Sequence, residues 1–442
     1  MKRFFIILIL LIVQIVPAQE TNPDTSNIWS LDDCLEYALE NNITIKDASL
    51  NKGQAEVDYS KAKSSRLPNL YGSASQTFSN GNSIDPITSD FVSEQIHSTN
   101  VSLNSSMTIF QGNQINNQIA QNELLLNQSV FLEEEVKNNI IISILENYLQ
   151  ILYAKEGITI AENNLAASEK EVERAKARLD AGSIALSDYT EAQSQAASNK
   201  YAIITAKNTY QQYVIALKQL LELDPTQDIE IETLSSDLDY VTIELDKMKI
   251  YNNALGILPE VNASKIGVEV SEKELEIAKG AYLPTLSLVS SLGSGYTSIN
   301  DNSFSDQFDL NFNQRIGLSL DIPIFNRNQT KAAVQSAQIN IEKAQISQQL
   351  VEKEVYKKVE TAYQNALSTQ EQLVAALASK DAAEQSYALA QKKYELGALS
   401  TTDLVISQNT FTNAQQNYLQ AKYLNILYQQ LLQFYQGKEI KL

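Results

Sequence analysis

The sequence is poor in the side chains that carry most enzyme chemistry. Cys34 is its only cysteine and His97 its only histidine among 442 residues. An exported chain with one cysteine has no intramolecular disulfide, and without an HExxH motif or a Cys/His cluster it lacks ligands for a catalytic metal. The sequence also contains no GxSxG motif, no Walker A motif and no dinucleotide fingerprint. We therefore predict a protein that is not an enzyme and needs no cofactor.

Basic residues are scarce as well. The chain has 34 Lys and Arg against 53 Asp and Glu, which gives a formal net charge of −19 at pH 7. Removal of Lys2 and Arg3 with a signal peptide changes this to −19 − 2 = −21. A surface of this sign repels phosphate backbones. Nucleic acid is therefore excluded as a predicted partner.

Long apolar runs are absent except at the amino terminus. Residues 4–13 are apolar, follow Lys2 and Arg3, and lead to a small-residue exit that ends at Ala18. The run is too short to cross a bilayer as a helix, and its surroundings are typical of a secretory signal peptide. We predict a signal peptide over residues 1–18, cleaved after Ala18. No cysteine lies near that site, which argues against a lipid anchor.

Proline and glycine are nearly missing from two long stretches. Residues 114–181 contain no proline and a single internal glycine, Gly157, and residues 328–396 contain neither. At 1.5 Å per residue each stretch predicts a helix ~100 Å long, which extends far beyond any single globular core. Further helices are predicted over residues 43–67, 187–223 and 401–435.

Four sequence landmarks recur at a spacing of about half the chain. Two glycine-containing turns, RLDAGSIALSDY and KYELGALSTTDL, place Gly182 and Gly397 in register, 397 − 182 = 215 residues apart. The other pairs are ALENN with ALGIL, RLPNL with YLPTL, and TIFQGNQ with PIFNRNQ. We interpret the chain as a duplication: a signal peptide (1–18), a first repeat (19–223), a linker (224–249) and a second repeat (250–442).

Alternating apolar and polar residues predict strands between the helices of each repeat. The alternation is clearest over residues 101–109, 286–292 and 308–322. It predicts β-hairpins over residues 70–110 and 285–325, with polar loops near residues 80–96 and 297–307. Either a water-facing sheet or a membrane strand with a wet lumen produces this pattern. In a membrane, four strands leave open edges, so closure requires further copies, and three copies supply twelve strands.

In this order and register, the motifs resemble the TolC family of outer membrane efflux proteins over essentially the whole mature chain. The resemblance implies a homotrimer with a twelve-stranded β-barrel in the outer membrane and an α-helical coiled-coil tunnel through the periplasm. It implies a passive exit duct in a tripartite efflux or type I secretion system. The implied partners are a periplasmic adaptor protein, an inner-membrane transporter and the lipid of the outer membrane.

The two glycine turns have a simple structural explanation and a functional one. Glycine ends a helix readily because it adopts the left-handed conformation, and Ser187 or Thr401/Thr402 can cap the following helices. Aspartates in the first turn complement the helix dipole. The resemblance instead implies a periplasmic gate and an adaptor-contacting tip. The implied gate residues are Asp403, Asp188, Glu191 and Tyr394, and the implied tip residues are Gly182, Ser183, Gly397, Ala398 and Leu399.

The junctions between strands and helices also carry matching residues. Prolines there are expected to stop helices or open strands. Phe110 and Phe325 occupy equivalent junctions, where either the membrane interface or ordinary apolar packing suits an aromatic side chain. The junction residues are Pro68, Pro284, Pro323, Phe110 and Phe325.

One alternative function comes from a different class of protein. A trimeric coiled-coil adhesin or structural stalk accounts for the helical heptads and for export. It does not account for two amphipathic hairpins repeated within one chain.

Overall fold

The computed structural model describes residues 28–84, 88–233 and 246–441. The predicted signal peptide and part of the predicted linker, residues 234–245, lie outside this range. Within the described residues no helix is both long enough and apolar enough to span a membrane. The helices are α1 (Leu31–Asn41), α2 (Ile43–Ser64), α3 (Gln114–Asp180), α4 (Leu186–Leu221), α5 (Lys247–Ile257), α6 (Pro259–Gly280), α7 (Phe304–Leu310), α8 (Gln329–Glu395) and α9 (Thr401–Tyr435). The strands are β1 (Ile28–Trp29), β2 (Asn69–Ile84), β3 (Phe91–Gln111), β4 (Glu230–Ile231), β5 (Thr285–Thr297) and β6 (Asn313–Asp321).

Two helices of equal length dominate the molecule. Helices α3 and α8 have 67 residues each and begin 329 − 114 = 215 residues apart. Helices α2 and α6 have 22 residues each and begin 259 − 43 = 216 residues apart. At 1.5 Å per residue the long helices extend ~100 Å. The long helices pack along α4 and α9, their neighbours across the glycine turns.

The main apolar core lies at mid-length along the long helices. One cluster joins α1, α3 and α4 around Cys34, Leu145 and Leu217. A second joins α5, α8 and α9 around Ile250, Val359 and Leu432. Beside the first cluster, β4 pairs in parallel with β1. Ile440 also belongs to the first cluster, so both chain ends of the described structure are held at this level.

The remaining strands form one four-stranded sheet in the order β2-β3-β5-β6, antiparallel throughout. Directly opposed residues share a face, so the register defines two surfaces. We call one the apolar face; it includes Val101, Leu103, Leu288, Leu292, Ile316 and Leu318. We call the other the polar face; it includes Ser73, Ser102, Asn104, Ser291, Asn313 and Arg315.

The loop predicted over residues 80–96 is wrong, because both strands extend into it. Strand β2 continues to Ile84 and β3 begins at Phe91. Polar residues in this stretch, such as Asn80 opposite Gln95, continue the ladder. Backbone groups form these bonds, so the side chains need not be apolar.

The strand predicted over residues 308–322 is also wrong in its first part. Residues Phe304–Leu310 form helix α7, and β6 begins only at Asn313. The predicted loop over 297–307 therefore contains the start of a helix. Ser303 caps this helix by accepting a hydrogen bond from the Asp306 amide at 3.2 Å. Phe304 and Phe308, four residues apart, stack with ring centroids separated by 5.4 Å.

Candidate functional site

The ends of the two long helices form matching turns. Gly182 and Gly397 have φ angles of 67° and 75°, the left-handed conformation that glycine adopts most easily. The Ser183 amide donates to the Arg178 carbonyl and the Ala398 amide to the Lys393 carbonyl, both at 2.8 Å. These bonds return to carbonyls near the helix ends, as in a Schellman cap. The two glycines therefore reverse the chain at this tip.

The two aspartates of the predicted gate close the first turns of the following helices. The Asp188 carboxylate accepts a hydrogen bond from the Ala185 amide at 3.2 Å. The Ser400 hydroxyl accepts from the Asp403 amide at 3.1 Å and donates to its carboxylate at 2.8 Å. Within one protomer both aspartates thus make helix-capping contacts.

The capping positions expected from the sequence are wrong. Helix α4 has Ala185 at its N-cap and α9 has Ser400 there, in place of Ser187 and of Thr401 or Thr402. The chain is extended at Ala185 and Ser400, with ψ of 158° at each. Helical geometry therefore begins immediately after these residues, earlier than the expected caps.

Side chains from α3 join the tip of α8 to that of α3. Arg178 donates from Nη1 to the carbonyl oxygen of Tyr394 at 3.2 Å, and its guanidinium carbon lies 5.2 Å from the centre of the Tyr394 ring. One turn earlier, Arg174 forms an ion pair with Glu395 at 2.9 Å. A planar guanidinium suits both contacts, since it can bind a carboxylate and lie over an aromatic ring.

Two further contacts lie next to the turns, one between the two tips and one within the α8–α9 turn. The Thr402 hydroxyl donates to the Glu191 carboxylate at 2.9 Å, which connects α9 to α4. The Tyr394 side chain is 2% exposed, and its hydroxyl lies 3.4 Å from the Thr401 hydroxyl. Of the predicted gate residues, Tyr394 is thus buried inside its own protomer, whereas Asp403 stays exposed.

Glu171, about one turn before Arg174 on α3, also contacts that arginine. Its carboxylate is 3.1 Å from Arg174, and its Oε2 atom is buried without a hydrogen-bond partner. Burial raises the pKa of the Glu171 carboxyl, Arg174 opposes that shift, and Glu395 adds to it. The tip thus contains a carboxylate whose charge is only partly compensated.

The predicted tip residues are accessible. Gly182, Ser183, Gly397 and Ala398 are exposed, and Leu399 is half-buried. The neighbouring Leu186 and Leu396 are 63% and 84% exposed. Exposed leucines beside a turn give the tip an apolar surface in addition to its charged groups.

Sequence reasoning missed the residues that join the two turns. Arg174, Arg178, Glu395 and Thr402 were not among the predicted gate residues. Arginines 174 and 178 are four residues apart and so share one helix face just before the turn, which is a signal in the sequence. The repeat, by contrast, does not point to them.

At the other end of α3 and α8, the junction residues border the sheet. Pro68 and Pro284 directly precede β2 and β5, and Pro323 follows the end of β6. Phe110 and Phe325 are exposed by 41% and 79%. Both are therefore available to contact lipid or another chain.

Each long helix begins after two consecutive residues in the left-handed conformation, a feature the sequence did not predict. These pairs are Gly112–Asn113 and Arg327–Asn328. A Cβ atom on Gly112 would lie 2.1 Å from the carbonyl oxygen of Gly280, the last residue of α6. Only glycine therefore permits this close approach.

Among the described residues, no group of three or more His, Cys, Asp or Glu side chains could hold a metal ion. The sheet bears a polar groove of about 440 Å³ lined by residues such as Asn100, Asn104 and Arg315. Asparagine and serine side chains of this kind are suited to a water-filled surface.

The profile of outer membrane efflux proteins matches residues 34–222 and 250–436, both halves of the chain. The chain belongs to this family. Two named relatives are similar along most of their length. The outer membrane efflux protein BepC of Brucella suis biovar 1 (strain 1330) is 26% identical over 413 residues, which cover 89% of this chain and 82% of BepC. The outer membrane protein TolC of Escherichia coli (strain K12) is 22% identical over 406 residues, which cover 90% of this chain and 79% of TolC.

Solved structures of outer membrane channels have the same fold as this efflux protein. VceC of Vibrio cholerae superposes with a TM-score of 0.79 at 16% identity, covering 93% of this chain and 97% of VceC. The CmeC channel of Campylobacter jejuni superposes with a TM-score of 0.80 at 19% identity, covering 93% and 86%. The fold expectation of a TolC-like channel protein is confirmed at this level.

Membership of the efflux family decides the general function. This protein is a passive efflux channel of the outer membrane and not an enzyme. The adhesin or stalk alternative is thereby set aside, because both halves match the efflux family. The resemblance inferred from the sequence motifs is confirmed.

Proposed function

We propose that three copies of this chain form one exit duct, with a twelve-stranded barrel in the outer membrane and a helical tunnel through the periplasm. The duct serves a tripartite efflux or type I secretion system with a periplasmic adaptor and an inner-membrane transporter. The observation that carries this proposal is a four-stranded sheet with two free edges beside two helices with uncovered apolar stripes.

The free edges are the first support. Among the described residues, β2 pairs only with β3, and β6 pairs only with β5. A sheet within lipid must satisfy every backbone hydrogen bond, so its outer strands need partners. Pairing β6 of one copy with β2 of the next closes a barrel, and three copies give an even number of antiparallel strands.

Apolar stripes on α2 and α8 are the second support. Helix α2 exposes Ile43, Leu50 and Val57, spaced by seven residues, and α8 exposes Ile339, Ile346 and Leu350. All six side chains are between 54% and 74% exposed. Residues that recur every seven or eleven positions lie on one helix face. Each protomer thus presents two unpartnered apolar faces along its helices.

Helix α3, the counterpart of α8, shows how such a face is covered. Helix α3 packs along α6 of the same protomer. On α3, Leu124 and Phe131 are half-buried. They lie 215 residues before Ile339 and Ile346, their exposed counterparts on α8. By this internal analogy, α8 packs along α2 of the neighbouring copy. The two exposed stripes then cover each other.

Charge complementarity supports the same arrangement. In the α3–α6 contact, the Gln128 side chain donates to the Ala263 carbonyl at 2.9 Å. The counterparts of these residues are Lys343, since 128 + 215 = 343, and Asp47, since 263 − 216 = 47. Both are exposed. In the trimer they are placed to form an ion pair between neighbouring copies.

A charge swap tests this interface. We expect Lys343→Glu to reduce the trimer fraction in mild detergent because it sets two carboxylates against each other. Adding Asp47→Lys restores opposite charges and should recover the trimer. Light scattering with subtraction of the detergent mass measures the oligomeric state. A wild-type monomer that keeps its full β-sheet signal by circular dichroism would refute the barrel.

For the tip we propose a gate held by contacts between the two turns. Arg174 with Glu395 and Arg178 with Tyr394 hold the turn of α8 against that of α3. Asp403, Asp188 and Glu191 from three copies gather acidic groups around the tunnel axis. The adaptor engages the exposed residues Gly182, Ser183, Gly397 and Ala398 and the half-buried Leu399.

Arginine replacement tests the gate. Arg174→Ala and Arg178→Ala each remove contacts between the turns, so we expect higher resting conductance in planar bilayers. Lys176→Ala, an exposed position between the two arginines, is the matched control and should leave conductance unchanged. Equal conductance in the two arginine variants and in wild type, with trimers intact, would place the gate elsewhere.

A further inference from the structure

Helix α7 occupies an unexpected place between β5 and β6. The Ser294 hydroxyl, on the apolar face, donates to the Phe308 carbonyl. The Phe304 ring packs against that of Tyr296, also on the apolar face, at 5.3 Å between centroids. The connection between the last two strands therefore folds back over the apolar face of the sheet.

This helix is firmly held. Gln307 is 1% exposed. Its side chain accepts from the Thr297 amide at 3.0 Å and donates to the carbonyls of Thr297, Asn300 and Asn302 at 2.9 to 3.0 Å. The Asn311 side chain adds a bond to the Gly295 carbonyl at 2.7 Å. A buried amide with all these bonds fixes α7 in one position.

The surface that α7 presents is strongly apolar. Phe304, Leu310 and Phe312 are 52%, 72% and 57% exposed. Beneath Phe308 and Phe312 lies a largely apolar cavity of about 490 Å³. Its other apolar walls are on the apolar face, at Ala74, Val101, Leu103 and Leu292. A rigid, exposed group of aromatic side chains is unusual for a loop in water and indicates a binding surface.

The position of these aromatic side chains along the strands indicates what they contact. Phe110, at the helix end of the sheet, lies opposite Leu286, and Tyr296 lies ten residues further along β5. At ~3.4 Å per residue this is ~34 Å along the strand. A strand tilted by ~40° then rises ~26 Å, close to the ~25 Å apolar band between the two aromatic girdles of membrane barrels.

We propose that α7 with Tyr296, Phe304, Phe308 and Phe312 is an anchor in the lipid of the outer leaflet, opposite an inner girdle that includes Phe110. Aromatic rings are favoured at this depth because they combine an apolar body with tolerance of the polar interface. The cavity beneath Phe308 accepts a lipid chain. This inference rests on the proposed barrel, whose lipid-facing surface is the apolar face.

Fluorescence quenching tests the anchor. Trp29 is the only tryptophan, so Trp29→Phe gives a silent background. In this background, single tryptophans replace Phe304, Leu318 on the apolar face, or Asn313 on the polar face. Each variant is reconstituted into vesicles and exposed to lipids with brominated chains or to aqueous iodide. We expect bromine to quench the tryptophans at 304 and 318 strongly, and iodide to quench the one at 313.

The outcomes separate the anchor from the barrel. Strong bromine quenching at 304 and 318 supports both. Bromine quenching at 318 but not at 304 would overturn the anchor and leave the barrel intact. Iodide quenching at 304 would then indicate that α7 faces water, and its absence would indicate that α7 contacts a second copy. If bromine fails to quench position 318 as well, the apolar face is not in lipid and both proposals fail.

Discussion

The close approach of Gly112 to Gly280 predicts a large effect from a single methyl group. Gly112 has φ of 55°, and an added Cβ would lie 2.1 Å from the Gly280 carbonyl oxygen and 2.9 Å from its carbonyl carbon. Both contacts are with backbone, which cannot rotate away. Gly112→Ala therefore forces α3 and α6 apart at the junction of helices and sheet.

The magnitude follows from two separate terms. A left-handed conformation costs an alanine about 1–2 kcal/mol, and overpacking adds about 1–3 kcal/mol. Gly182→Ala is a matched control, because Gly182 has φ of 67° but nothing within 4 Å of an added Cβ. Gly182→Ala should therefore show only the cost of the left-handed conformation.

Urea unfolding of the detergent-solubilised protein, followed by circular dichroism, measures the difference. We expect both variants to unfold at lower urea than wild type, with Gly112→Ala the less stable by about 1–3 kcal/mol. Equal destabilisation of the two variants would contradict this prediction, because the approach to Gly280 would then impose no steric limit.

Three further predictions concern an ion pair, the tip and the orientation. The Glu133 carboxylate lies 2.6 Å from Lys52 and 3.1 Å from Lys137. The hydrogen bond from Lys52 lowers the pKa of Glu133 despite its burial. The ion pairs therefore stabilise the folded protein above the ordinary pKa of 4.5, and this stabilisation is lost as pH falls through the lowered pKa. Glu133→Gln should cost about 1.5–3 kcal/mol at pH 7 and flatten the acid limb of a stability–pH curve; an unchanged curve would contradict this. If the aspartates surround the tunnel axis, Asp403→Ala should weaken channel block by a trivalent cation added on the helical side. If Asp403 only caps its helix, the replacement should cost about 1 kcal/mol of helix stability and leave channel block unchanged. Epitope tags inserted in the β2–β3 connection or after Asn300 should be labelled on intact cells, and labelling only after permeabilisation would reverse the orientation.

The long helices were predictable because local signals decide them. Stretches without proline, ended by a glycine turn, placed α3 at residues 114–181 and α8 at residues 328–396, within a residue of their observed ends. Helix continuity depends on residues within one turn of each other. The glycine turns followed from the same local reasoning.

The strand ends and α7 were not predictable from the same signals. Phe308, Leu310 and Phe312 alternate with polar residues, which fits a strand as well as a short helix. The helix is selected by distant contacts, above all the buried Gln307 side chain with Thr297. Alternation cannot report such a contact.

The two glycine turns were predicted from the sequence, whereas the side-chain contacts between them were not. The sequence identified the turns and their aspartates, but the contact of Arg178 with Tyr394 joins residues 394 − 178 = 216 positions apart. Which side chains meet across two packed helices depends on their relative rotation. A sequence pattern along one helix does not contain that angle.

Single-channel conductance in a planar bilayer tests the central claim most directly. We expect discrete current steps from the purified trimer, small for wild type and larger for Arg174→Ala, since that replacement releases the ion pair between the turns. Purified trimers that insert into the bilayer yet pass no ions, in wild type and variant alike, would contradict a continuous duct through this protein.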